Sequence, residues 1–129
     1  MKKRGILNSE IAKVIDDLRH TDRIIIGDCG LPVPDHIKEI DISLKQGTPS
    51  FYSVLELILA EVAVEKAIVA SEIKENNTEL HEKIKGVLPS IAYVSHEEFK
   101  QLSKDVKVII RTGEDTPYAN VILQSAVIF

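Results

Sequence analysis

The chain has 129 residues, 44% hydrophobic and 28% charged, which supplies apolar material for one continuous core and too little length for two comfortable domains. Its formal net charge of -4 is spread along the sequence, so neither nucleic acid nor an anionic membrane surface is an expected partner. The one cysteine, Cys29, cannot close an intrachain disulfide, and no cysteine cluster has zinc-ligand spacing, which points to an intracellular chain without a structural metal.

Met1-Lys2-Lys3-Arg4 has the charge of a signal-peptide start, but GILNSE follows it instead of an apolar run, so no export signal is expected. Elsewhere the apolar stretches are broken by Glu56, Glu61 and Glu65 or are well short of the roughly 20 residues that cross a bilayer. The expectation is a soluble, cytoplasmic protein.

Asn8 is placed to cap a first helix whose apolar positions Ile11, Val14, Ile15 and Leu18 share one face, running out near Arg19-His20. RIIIG at 23–27 then reads as a short β-branched strand, stopped by Asp28-Cys29-Gly30 and by Pro32 and Pro34. EIDISL at 39–44 alternates as a strand. After Gly47-Thr48-Pro49, helical spacing returns with Phe51, Val54, Leu55, Ile58 and Val62. KAIVA at 66–70 predicts a strand, 78–85 a polar helix, and IAYV at 91–94 another strand. SHEE at 95–98 is a capping box that places His96 in the first turn of a helix carrying Phe99 and Lys100. VKVII, the loop RTGEDTPYAN and a last apolar strand VILQSAVIF reaching Phe129 complete the chain.

This alternation predicts an α/β fold: a single three-layer α/β/α domain over residues 1–129, around a largely parallel sheet with helices on both faces. Loops that follow strands then gather at one edge, where such sheets bind small ligands, and Asp28 and the 112–120 loop become candidates for one pocket.

The candidate residues each carry a bland reading beside a chemical one. His20 is either a helix-terminal histidine stabilised by the dipole or a general acid or base, since imidazole exchanges protons near neutral pH. Asp28 either caps its own loop through backbone N–H groups or accepts from sugar hydroxyls at the strand's end. Taken alone, His96 and Lys100 read as ordinary surface residues, and His36 and His81 as solvated. Cys29 lacks an identifiable base and reads as a packing residue. The 111–120 loop is longer than a tight turn needs, and its Tyr118 and Asn120 suit a sugar's apolar face and hydroxyls. Neither GxGxxG nor GxxxxGK[ST] occurs, so no nucleotide cofactor is indicated.

Taken together, ILNSEI, HTDRIIIGDCGLPVP (20–34), IDISLKQGTPSF (40–51), SHEEFK (95–100) and RTGEDTPYANVIL (111–123) resemble the D-ribose pyranase and L-fucose mutarotase family over nearly the whole chain. The resemblance implies an intramolecular isomerase that interconverts ribose ring forms without metal or cofactor, in ribose uptake and utilisation. It implies that His20 is the proton donor, and that Asp28, His96, Tyr118, Ala119 and Asn120 bind sugar, the alanine through its backbone, with Lys100 a weaker candidate. It further implies a ring-like homo-oligomer with sites near subunit boundaries. Arg19 and Cys29 stand where members commonly have glycine and a small residue, and the C-terminal segment lacks a glycine often seen there; neither of the first two replaces a reacting group.

Three other readings remain: an L-fucose mutarotase, a noncatalytic sugar-binding partner of a ribose transporter or kinase, and a receiver-like signalling module. The last is weak, because RIIIGDCG offers only one acidic residue at the first strand.

Overall fold

The computed structural model describes residues 1–129 and places all six strands in one sheet. In chain order the elements are α1 (Ser9–Asp17), β1 (Arg23–Gly27), β2 (Lys38–Asp41), α2 (Phe51–Leu59), β3 (Val64–Ala70), α3 (Ile73–Asn76), α4 (Thr78–Lys85), β4 (Ile91–Val94), α5 (His96–Leu102), a short 3-10 turn, β5 (Val108–Arg111) and β6 (Val121–Ser125). The strand order is β2-β5-β1-β6-β3-β4. Pairs β2·β5, β1·β5 and β3·β4 are parallel, whereas β6 runs antiparallel to both its neighbours, β1 and β3. The expected largely parallel α/β architecture holds, with β6 the one reversed strand.

The apolar runs explain the layering. Ile24, Ile25 and Ile26 are all buried, as are Val108, Ile109 and Ile110, because both faces of these central strands are covered. Ile24 and Ile26 join a large core with Ile11 of α1, Phe51, Leu55 and Ile58 of α2, Ile73 of α3, and Leu80 and Ile84 of α4. Ile25, on the other face, meets Phe99 of α5, Leu31, Val106 and Ile122. One face therefore carries four helices, and the other carries α5 with the loop after β1.

Helix starts follow their caps. Asn8 accepts the Ile11 N–H and Ser50 the Ser53 N–H, as those residue types at that position favour. Of the capping box at 95–98, Ser95 Oγ accepts the Glu98 N–H, but the acid that serves the first helical residue comes from Glu72, outside the helix.

Several boundaries differ from the sequence reading. α1 stops at Asp17, because Leu18 turns to extended backbone, so His20 lies in a loop beyond the helix. The last strand ends at Ser125 and does not reach the terminus: Val127, Ile128 and Phe129 are exposed. The four-residue α3 is too short to carry a period and was not anticipated. His81 is buried and bonded to the Tyr93 hydroxyl at 2.8 Å, not solvated, whereas His36 is exposed as read and meets the Lys104 carbonyl at 2.9 Å. Burial lowers the His81 pKa.

Phe99 is the fully buried aromatic of the thinner layer. Phe99→Ala is expected to cost about 3–5 kcal/mol of folding stability, read from urea unfolding followed by circular dichroism. A loss under about 1 kcal/mol would mean that α5 repacks freely.

Candidate active site

The C-terminal end of β1 carries the densest polar arrangement in the sheet. Asp28 and Asn120 form a reciprocal pair: the Asp28 N–H donates to Asn120 Oδ1 at 2.8 Å, and Asn120 Nδ2 donates to Asp28 Oδ2 at 2.9 Å. Antiparallel register makes this possible, since Ile26 opposes Val121 and the residues beyond them meet. Gly27 is needed for the approach, because a Cβ there would come within 3.1 Å of Asn120 Oδ1 and 3.0 Å of a Leu31 methyl. The Gly30 N–H donates to Asp28 Oδ1, so the loop-capping role coexists with a position in the site. A carboxylate has roughly four lone-pair directions, and two donors leave acceptor capacity for a hydroxyl.

The loop before β6 is stitched on both sides. Thr112 is buried and bonds the Gly27 carbonyl through both its N–H and its hydroxyl. Gly113 lies against the 45–49 turn, where any Cβ would collide with the Thr48 carbonyl. The Glu114 carbonyl accepts the Cys29 N–H, while its carboxylate accepts the Phe51 N–H at the start of α2 and the Thr116 hydroxyl. Asn77 donates to both Thr116 Oγ1 and the Pro117 carbonyl at 2.9 Å. Thus braced, Tyr118 takes a left-handed backbone with φ 57, and Ala119 and Asn120 turn into the interior.

His96 faces this loop. Its ring stands edge-on to Tyr118 with centroids 5.2 Å apart, and stacks on Phe99 at 6.5 Å. The Glu72 carboxylate accepts the His96 backbone N–H with both oxygens at 3.1 Å, and that donor holds the Glu72 carboxyl below the usual glutamate range. Nδ1 of His96 is buried without a partner. The structure therefore brings Asp28, His96, Tyr118, Ala119 and Asn120 to one edge of the sheet. Lys100 is ion-paired with Glu97 at 2.6 Å.

His20 is not with them. It precedes β1, whereas Asp28 follows it, so about 16 Å of strand separates the two. The HTD turn is pinned to the end of β6: the Thr21 N–H donates to the Ser125 carbonyl, and the Ser125 N–H to the Asp22 carbonyl. Thr21 has φ 69, and the Asp22 carboxylate accepts the Arg19 N–H. His20 is exposed and bonds Glu65 through Nε2 to Oε2 at 3.1 Å. Glu65 Oε1 accepts from Gln124 Nε2 at 2.7 Å, and Gln124 Oε1 accepts from Arg23 Nε at 2.9 Å. Gln124 and His20 hold the Glu65 carboxyl below its ordinary range.

Glu65, Gln124, Glu72 and Asn77 were not singled out from sequence. Each acts on a residue at least 24 positions away, and no local spacing marks such a pair. The largest cavity, about 710 Å3, lies between the N-terminal segment and α1 and holds none of these groups, so chemistry locates the site better than volume does. A cavity of about 300 Å3 borders Cys29, Ser43 and Arg111, next to Asp28. No group of three or more His, Cys, Asp or Glu side chains gathers as a metal site.

Comparison with known proteins decides the family. The model of the RbsD / FucU transport protein family matches residues 1–128. The chain belongs to this family. It is 56% identical over 130 residues to a D-ribose pyranase of Streptococcus uberis, covering 98% of each chain. It is 53% identical over 131 residues to one of Bacillus cereus, covering 100% of both. Among solved structures, Bacillus subtilis RbsD complexed with D-ribose superposes with a TM-score of 0.97 at 54% identity over 100% of each chain. A fucose mutarotase from Streptococcus pneumoniae shares the fold, with a TM-score of 0.78 at 21% identity and 95% coverage of each chain.

The Asp28–Asn120 pair gives a pH-dependent prediction. Asn120→Asp replaces the donor with a second carboxylate, which raises one carboxyl pKa in the folded state. The cost, about 2–3 kcal/mol near neutral pH, should shrink as the pH falls toward 4, where the pair shares a proton. Urea unfolding of both proteins at several pH values checks it, and a cost that grows in acid would contradict the pairing.

Proposed function

We propose that this chain is a D-ribose pyranase, interconverting the pyranose and furanose forms of D-ribose. What carries the reading is full-length identity of 53% and 56% to proteins of that name. The gathering of Asp28, Asn120, Tyr118 and His96 at the strand-end edge supports it, as an aromatic face beside amide and carboxylate groups suits a small polyol. The fucose mutarotase has the same fold at much lower identity, so the fucose reading has less support.

The reaction opens the ring hemiacetal to the aldehyde and closes it through a different hydroxyl. One group protonates the ring oxygen as its bond to C1 breaks, and another removes the C1 hydroxyl proton as the carbonyl forms. His20 is assigned the acid. Asp28, His96, Tyr118, Asn120 and the Ala119 backbone hold the sugar so that bond breaking and reclosure occur in place. Since ring opening also occurs unaided, positioning plus one proton transfer worth roughly a hundred- to ten-thousandfold is sufficient catalysis.

Because His20 and Asp28 lie at opposite ends of β1, His20 acts on sugar held by a second copy of the chain. A homo-oligomer, of the ring type implied by the family resemblance, would bring the two ends together. A cytoplasmic location belongs to the same reading, and no helix is long and apolar enough to cross a membrane.

Saturation transfer between the pyranose and furanose signals of D-ribose should accelerate with the purified protein, and L-fucose anomer exchange should not. Folded protein that speeds neither sugar would leave a binding role instead. His20→Ala and Asp28→Ala should each abolish the acceleration. Mixed subunits should regain about a quarter of it, the share of sites that random pairing leaves intact. No recovery on mixing would place both groups in one subunit's site and contradict the shared arrangement.

A further inference from the structure

The chain Arg23-Gln124-Glu65-His20 crosses three strands at the sheet edge opposite the sugar-binding cluster, and the mechanism above uses only its last member. Arg23 and Gln124 are register partners on β1 and β6, so the guanidinium is already placed to donate to the Gln124 amide oxygen. That bond fixes which way the amide faces and turns its Nε2 toward Glu65 Oε1. Glu65 sits where the pairing of β3 with β6 slips between Val64 and Lys66, and such a bulge re-aims a side chain. Its second oxygen is thereby delivered to His20 Nε2. The backbone on the other side is equally held, through the bonds of Thr21 and Asp22 to Ser125.

We propose that Glu65 is a positioning residue that fixes the tautomer of His20, with the proton on Nε2, so that Nδ1 is the nitrogen that exchanges protons with the sugar. The inference rests on the pyranase reading and assigns the geometry of its acid. A carboxylate oxygen without a proton can only accept, so the nitrogen facing it must carry hydrogen. Gln124 occupies the other oxygen and keeps the carboxylate from swinging away.

In the forward step the imidazolium gives its Nδ1 proton to the ring oxygen. The C1–O bond breaks with its electron pair going to that oxygen, and the C1 hydroxyl proton leaves to a base, water or a second polar group of the site, as the carbonyl forms. His20 is then neutral with Nε2–H still on Glu65. On reclosure the 4-hydroxyl oxygen bonds C1, its proton passes to Nδ1, and the carbonyl oxygen regains its proton from the base that took it. Nothing is consumed, and the same nitrogen serves both directions.

Two measurements test this on the full-length protein. Long-range 1H–15N spectra in mildly alkaline buffer, assigned with His20→Ala, should show neutral His20 as the Nε2–H tautomer in the wild type and as a mixture in Glu65→Gln. A wild-type Nδ1–H tautomer, or one unchanged by Glu65→Gln, overturns the proposal. In ribose exchange, Glu65→Gln and Glu65→Ala should lower kcat about tenfold with KM within about twofold of wild type. Full activity in Glu65→Gln, or a loss carried by KM together with subunit dissociation, would instead make Glu65 a packing residue. If the wild type itself does not accelerate ribose exchange, the pyranase reading fails, whereas the tautomer result still stands as a statement about His20.

Discussion

Strand β6 runs antiparallel between β1 and β3, and the polar clusters at both ends of β1 depend on that reversal. A parallel strand in this slot would bring its first residues to the start of β1. The reversed one brings Asn120 to Asp28 at one edge and Gln124 to Glu65 at the other. The same strand is buried through Val121, Ile122 and Leu123, so its register is set by the core on both faces. Polar placement at the edges is thus enforced by apolar packing in the middle.

The two edges are built differently. At the Asp28 edge the groups are buried or half-buried and the loop that carries them is braced from several sides: Thr112 on Gly27, Glu114 on Cys29 and Phe51, Asn77 on Thr116 and Pro117. At the His20 edge the histidine is exposed and held by a chain of side chains. Under the proposed pyranase reading, rigid support suits a surface that must match a sugar's hydroxyls, and an exposed histidine suits a group offered to a second copy of the chain.

Much of the fold was legible in the sequence, because it is written in short periods. RIIIG, IAYV and the 78–85 helix were read with their observed bounds, and Asn8 and Ser95 start helices as capping chemistry requires. Reading failed where a boundary is decided by what lies across the sheet. VILQSAVIF stays apolar past Ser125, but beyond Ser125 no strand accompanies it. His81 looked solvated among Glu79, Glu82 and Lys83, and only the packing of α4 toward Tyr93 buries it. The site divides in the same way. Asp28 and the 112–120 loop were placed together by the rule that loops after parallel strands share an edge. Glu65 and Glu72, by contrast, act only through tertiary contacts, Glu65 on His20 and Gln124 across the sheet and Glu72 on the His96 backbone.

The central seat of β6 also bears on how the protein is made. It follows every other strand in the sequence, yet it lies between β1 and β3, so during synthesis two strand edges of the sheet's middle stay open until it inserts. Neither the Asp28 edge nor the His20 edge can be completed before that moment, and both are completed by it. A nascent chain therefore completes both polar clusters in one closing event, and a product truncated before β6 completes neither.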